Sequence, residues 1–228
     1  MINLIFDLDN TLYFRETAFL NAIQDVFPAV ANQDISTLFE HFEHFSAVYF
    51  EHHERKLIDF VTMRRLRIQA TLRSYDIDIS SEDAAKWQQS YERNQYALSL
   101  SDDVVAILDW CKNERIPIGI ITNGNTAHQT QKIKNLNLEQ WFQSHLIVIS
   151  ESFGVAKPNR AIFDYMHSKL PDNPTYYIGD DYEKDIVGAH KAGWRSIWFS
   201  QKQHSQSPLP DFQVSNHRDL FELLKTLK

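Results

Sequence analysis

NLIFDLDNTLY, residues 3–13, begins as an apolar run and ends in two carboxylates one residue apart. Ile2 to Phe6 reads as a buried strand. Asp7 closes it, Leu8 intervenes and Asp9 follows. Like charges about 4 Å apart cost on the order of 4 kcal/mol even at an effective dielectric of about 20. A strand that ends this way needs a cation beside it.

The next stretch has a different texture. Residues 14–98 contain no glycine and a single proline, Pro28. Phe39, Phe42, Phe45 and Tyr49 recur near helical spacing. Ser80-x-x-Asp83 precedes a long polar and apolar stretch and reads as a helix N-cap. The segment is expected to be helical almost throughout.

From about residue 100 helix and strand patterns alternate. A helix over 103–114 leads to the strand IPIGII at 116–121, and a helix over about 126–136 leads to HLIVIS at 145–150. A helix starting near Asn159 leads to TYYIG at 175–179, and one at 183–192 leads to RSIWF at 195–199. The polar stretch QKQHSQSPLP, 201–210, reads as a surface loop before one more short strand and a last helix. Alternation of this kind builds a parallel sheet with helices on both faces. The expected architecture is α/β, a Rossmann-like core formed by residues 1–13 and 100–228. An all-helical domain, residues 14–99, is inserted into it. In open sheets of this type ligands bind beyond the carboxyl ends of the strands, which is where Asp7 and Asp9 fall.

Composition narrows the class. The formal charge is -7, from 23 Lys and Arg against 30 Asp and Glu. That balance argues against a nucleic-acid polymer or an anionic membrane as partner, since both favour a basic face. Only 6 Gly and 7 Pro are present, well below the roughly 12% usual share. No apolar run approaches the roughly 18 residues of a membrane span, and the acids at 7 and 9 interrupt any signal-peptide core. Cys111 is the single cysteine, so an internal disulfide is impossible. It falls in a helical core spacing with Val104, Ile107 and Leu108 and reads as a buried thiol. A cytoplasmic location is expected from these features.

Four strand ends carry polar clusters. The first supplies Asp7, Asp9 and Thr11; the second Thr122-Asn123-Gly124; the third GVAKPN with Lys157; the fourth Gly179-Asp180-Asp181, with Asp185 beyond. A strand-end acid alone is usually a helix cap or a solvated loop residue, but four such clusters on one sheet edge form a site. The oxygen ligands select a hard cation, with Mg²⁺ the expected cofactor, and Lys157 with backbone amides adds positive potential for an anionic substrate.

DLDNT, TNG, KP and GDDYEKD, in that order and at strand ends, resemble the four motifs of the haloacid dehalogenase superfamily. The resemblance extends through ESFGVAKPNRAIF and GDDYEKDIVGAHKAGW and covers nearly the whole chain. It implies that Asp7 is the nucleophile that takes a phosphoryl group. Asp9 would be the general acid and then base, with its backbone carbonyl on the metal. Thr122 and the Asn123 amide would hold the phosphoryl oxygens, and Lys157 would neutralise charge. Asp7, Asp9 and Asp180 would bind Mg²⁺, with Asp181, Asp185 and Thr11 as supporting groups or further ligands. The helical insertion resembles the family's cap. Dehalogenases of the superfamily lack an acid at the Asp9 position, because halide leaves without a proton. Asp9 therefore favours a phosphatase acting on a small phosphorylated metabolite, with nucleoside 5′-monophosphates as one candidate class. The alternatives are a phosphomutase on a sugar phosphate and a catalytically silent binding or regulatory module.

Other features of the insertion have ordinary explanations. His41, His44, His52 and His53 read as solvated or cap-lining side chains. MRRLR, 63–67, reads as a helix surface with its stems packed down, although Arg64, Arg65 or Arg67 could face a substrate phosphate. FEHFEHF reads as helix packing.

Overall fold

The computed structural model describes residues 1–31, 35–201 and 207–228, without the side chains of Ile35 and Ser36. The residues divide into two units, Met1–Phe14 with Ser99–Lys228, and Arg15–Leu98.

The larger unit is built on a parallel sheet of six strands in the order β3-β2-β1-β4-β5-β6. These are β1 Asn3–Phe6, β2 Ile118–Thr122, β3 Ile147–Ile149, β4 Thr175–Gly179, β5 Arg195–Phe199 and β6 Phe212–Val214. Phe6 pairs in register with Ile120 on one side and Ile178 on the other. The chain runs outward from β1 through β2 to β3, then returns to place β4 on the other flank of β1. The crevice at such a reversal is where ligands bind in open sheets. The strands are apolar because helices cover both faces. Ile5, Ile121 and Tyr177 pack with Ile162, Phe163, Met166 and Trp194 in one cluster.

Among the described residues the smaller unit holds four helices, α1 Arg15–Val26, α2 Ile35–Glu54, α3 Phe60–Arg73 and α4 Ser81–Tyr96. Ser80 caps α4 by accepting from the Asp83 amide, as the sequence pattern predicts. Its core is aromatic. Phe42 lies 4.8 Å from Phe19 and 5.2 Å from Trp87 between ring centroids, and Trp87 stacks on Tyr91 at 4.9 Å. The Phe39 and Phe42 of FEHFEHF are thus core residues. Arg64 pairs with Glu92, while Arg67 donates to Gln88 and lies over the Phe42 ring. His41 meets Ser74, and among the described residues no histidine belongs to a potential metal cluster.

Among the described residues the larger unit carries six α-helices: α5 Asp102–Asn113, α6 Thr126–Asn135, α7 Ser150–Phe153, α8 Arg160–His167, α9 Val187–Lys191 and α10 His217–Leu227. Two elements differ from the sequence expectation, both beside the strand ends. HLIVIS yields only a three-residue strand. Ser150 begins α7, and its hydroxyl accepts from the Gly124 amide at 3.0 Å. The helix expected over 183–192 opens with a widened turn, Tyr182–Ile186, before α9. Wide turns of this kind occur where a side chain is redirected at a functional site. Here the turn brings Asp185 back to accept from the Asp181 amide at 3.0 Å. Of QKQHSQSPLP, residues 202–206 lie outside the described residues.

Cys111 lies on α5, fully buried, and burial pushes its thiol up to about 12. The thiolate is the reactive form. Labelling by a thiol reagent at pH 8 should therefore follow unfolding, when the group regains an ordinary value near 8.5. Rapid stoichiometric labelling of the native protein would contradict the buried placement.

Candidate active site

The ends of β2, β1 and β4 lie side by side, so the loops that follow them converge. Asp7 follows β1 directly, and its backbone amide donates to Ile178 O at 2.8 Å, which fixes the loop to the end of β4. Lys157 reaches in from the loop after α7. Its Nζ donates to Asp7 Oδ1 at 2.7 Å, Asp185 Oδ1 at 2.7 Å and Tyr177 OH at 2.6 Å. An ammonium has three donors, and all three are used. Lys157 is 4% exposed, so this is a buried cation held by two carboxylates and a phenol.

Asn123 sets the backbone of that lysine. Its Nδ2 donates to Lys157 O at 3.0 Å and its Oδ1 accepts from Lys157 N at 2.9 Å. The side chain of Asn123 thus locks the β2 loop to the Lys157 loop.

Asp9 has different neighbours. Lys132 Nζ donates to its Oδ1 at 2.7 Å, Gln129 Nε2 donates to its Oδ2 at 2.9 Å, and Tyr13 OH also donates to Oδ1. Gln129 Nε2 donates in addition to Thr122 Oγ1 at 2.6 Å. Gln129 and Lys132 are both buried and stand three positions apart on α6, which begins directly after the Thr122-Asn123-Gly124 loop. Three positions place them on one helix face.

The remaining acids separate. Asp180 accepts from Asn10 Nδ2 at 3.3 Å. Asn10 occupies the left-handed region at φ 57°, which Asn tolerates better than most residues. Asp181 turns toward the following helical turn, where it accepts from the Lys184 amide at 3.0 Å and pairs with the Lys184 ammonium. Thr11 is buried. Its carbonyl accepts from His217 Nε2 at 2.7 Å, and its hydroxyl has no partner among the described residues.

The electrostatics favour an additional cation. Asp7, Asp180 and Asp185 each offer an oxygen, and the three oxygens lie within 4.8 Å of one another. Burial pushes Asp7 up to about 7; Asp185 and Asp9 add to the rise, and Lys157 opposes it. Burial works against the Lys157 ammonium, but Asp185 and Asp7 together hold its pKa well above the usual lysine range. One ammonium thus faces more carboxylate than it balances. The hard oxygen donor set fits a divalent ion such as Mg²⁺.

The structure brings Asp7, Lys157, Asp180 and Asp185 together, and it places Asp9 with Thr122. It aims Asp181 elsewhere and leaves Thr11 as a buried support. The sequence reading missed Tyr13, Gln129, Lys132 and Tyr177. Gln129 and Lys132 carry one signal, their shared face on a helix that opens at a motif loop. Tyr177 carries none, because a tyrosine inside a strand reads as core.

The sequence pattern of one family, haloacid dehalogenase-like hydrolase, matches residues 4–199. The glyceraldehyde 3-phosphate phosphatase of Methanopyrus kandleri is 28% identical, over 98% of this chain and 97% of its own. The pyrimidine 5′-nucleotidase YjjG of Escherichia coli is 40% identical over 47% of this chain and 49% of its own. Among solved structures, the HAD-hydrolase YfnB of Bacillus subtilis, bound to magnesium, superposes with a TM-score of 0.72. It is 22% identical and covers 97% of both chains.

Gly179 makes room for Asp185. A Cβ there would lie 2.2 Å from Asp185 Oδ2 and 2.4 Å from its Cγ. Gly179→Ala should therefore destabilise the fold by about 1–3 kcal/mol, the usual range for overpacking. Gly179→Ala and Asp185→Ala should be strongly non-additive, with the double variant losing less than the sum of the single losses. Denaturant unfolding of the three variants checks this. Additivity within about 0.5 kcal/mol would contradict the contact.

Proposed function

The chain belongs to the haloacid dehalogenase-like hydrolases, and we infer that it is a phosphatase of that family. From that premise we propose that it hydrolyses phosphate monoesters of small metabolites through a phosphoryl group carried on Asp7. The observation that carries this reading is the contrast between two neighbouring carboxylates. Asp7 is buried against Lys157, whereas Asp9 is half-buried and held by Lys132, Gln129 and Tyr13. Carboxylates in separate settings can take separate roles.

In this mechanism an Asp7 oxygen attacks phosphorus and the ester alcohol leaves. Asp9 delivers a proton to the departing oxygen, which a poor alkoxide leaving group requires. Asp9 then removes a proton from water, which attacks the phosphorus of the aspartyl-phosphate. Orthophosphate leaves and Asp7 is restored. Thr122 and the Asn123 amide hold phosphoryl oxygens, and Lys157 offsets negative charge at Asp7. Asp7, Asp180 and the Asp9 carbonyl would hold Mg²⁺, with Asp185 beside them, and the bound ion supplies further positive charge against the phosphoryl oxygens. Asp181 serves the local turn, and Thr11 supports the β1 loop.

We assign Arg15–Leu98 as the cap that selects the substrate. The activities named for relatives support nucleoside 5′-monophosphates and triose phosphates as candidate substrates. A cytoplasmic setting accompanies this reading, and no described helix is long and apolar enough to cross a membrane.

A phosphate-release assay on uridine 5′-monophosphate, glyceraldehyde 3-phosphate and 4-nitrophenyl phosphate with Mg²⁺ tests the proposal. Activity should vanish in excess EDTA. It should fall by more than about 10³-fold in Asp7→Asn, since loss of a nucleophile leaves only residual catalysis. Undiminished turnover in EDTA, or an Asp7→Asn variant within about tenfold of wild type, would contradict it.

A further inference from the structure

Gln129 touches both the Asp9 carboxylate and the Thr122 hydroxyl. A primary amide nitrogen carries two hydrogens. Gln129 Nε2 has Thr122 Oγ1 at 2.6 Å and Asp9 Oδ2 at 2.9 Å, with Asn123 O more distant at 3.3 Å. In its ionised form the Asp9 carboxylate can only accept, so in that form the amide is oriented with its nitrogen toward Asp9. Gln129 is 2% exposed, so water competes little for these bonds. The site leaves room for it. Gly124 sits at φ 150°, and a Cβ there would come within 3.1 Å of Gln129 Cγ.

The double contact has two consequences. The Thr122 oxygen, once it accepts from Gln129, keeps its own hydrogen for another acceptor. The Asp9 carboxylate is held from both sides, with Oδ2 on Gln129 and Oδ1 on Lys132 and Tyr13. A hydroxyl oriented to donate suits a phosphoryl oxygen, and a carboxylate fixed in direction suits proton transfer. We propose that Gln129 is a positioning residue that aligns the proton-transfer group Asp9 with the phosphoryl-binding hydroxyl of Thr122. It acts through these two residues and does not itself touch the reacting atoms. This inference rests on the phosphatase reading above.

The test uses two substitutions of similar size. Gln129→Met keeps the bulk and removes both donors. Gln129→Glu keeps the shape, sets a carboxylate against Asp9 and draws the Thr122 hydrogen toward itself. The substrates are phenyl phosphate and 4-nitrophenyl phosphate, whose leaving groups differ in their need for a proton. kcat/KM reports the steps through departure of the leaving group.

In Gln129→Met, kcat/KM for phenyl phosphate should fall about 10- to 100-fold, a misaligned part of the 10²–10⁴ that proton transfer supplies. For 4-nitrophenyl phosphate it should fall within about threefold, because proton donation matters less for that ester. In Gln129→Glu the inhibition constant for orthophosphate should also rise, by about tenfold or more, since Thr122 no longer donates. Thermal unfolding of both variants shows whether the fold persists. Equal losses on the two esters, no loss on phenyl phosphate, or unchanged orthophosphate inhibition in Gln129→Glu would overturn the inference and leave the phosphatase reading standing. Wild-type protein that releases no phosphate from either ester with Mg²⁺ would overturn that reading and the inference with it.

Discussion

The larger unit is organised around one buried ammonium. Lys157 comes from the loop after the third strand and reaches a carboxylate at the end of β1, a carboxylate on the turn after β4 and a phenol inside β4. A buried cation without such partners costs several kcal/mol, so each surrounding feature serves to keep the three contacts. Asn123 clamps the Lys157 backbone, Gly179 lacks a side chain so that Asp185 can approach, and the widened turn at Tyr182–Ile186 carries Asp185 inward. Tyr177 OH also donates to Ile121 O at 2.8 Å, which ties the ammonium to the β2 backbone. The conformation of four separate loops thus depends on one side chain.

The same constraint separates the two opening acids. Asp7 has the buried ammonium, and its pKa is raised mainly by burial. Asp9, two residues on, lies against a second lysine supplied by α6. The repulsion that DLD creates in the sequence is met by two different cations, Lys157 and Lys132, on two different elements. On the proposed reading this is how adjacent carboxylates serve as nucleophile and as proton-transfer group in one site.

Much of this was legible before any coordinates. The alternation after residue 100 gave the parallel sheet, and the order of motifs placed Asp7, Thr122 and Asp180 at strand ends, whereas Lys157, expected directly after the third strand, follows α7. The glycine-free stretch, residues 14–98, gave the helical unit. What escaped shares a physical cause. Tyr177, Gln129 and Lys132 are buried polar residues on regular elements; Tyr177 meets Lys157 20 positions away, and Gln129 and Lys132 meet Asp9 120 and 123 positions away. Periodicity reports burial, not which buried polar group meets which. The short β3 and the split helix at 182–191 escaped for a related reason. Ser150 accepts from the Gly124 amide and Asp185 from the Lys157 ammonium, long-range bonds that local propensity does not encode.

The central claim is that Asp7 carries the phosphoryl group while Asp9 moves the proton, and it can be read on the protein itself. Asp9→Asn retains the nucleophile but cannot activate water, so it should stall after phosphoryl transfer from an ester with a good leaving group. Acid quench of Asp9→Asn after mixing with 4-nitrophenyl phosphate and Mg²⁺, followed by peptide mass spectrometry, locates any trapped group. The account predicts one phosphoryl group on the Asp7 side chain, absent from Asp7→Asn treated in the same way. A phosphoryl group on another residue, or the same label in Asp7→Asn, would contradict it.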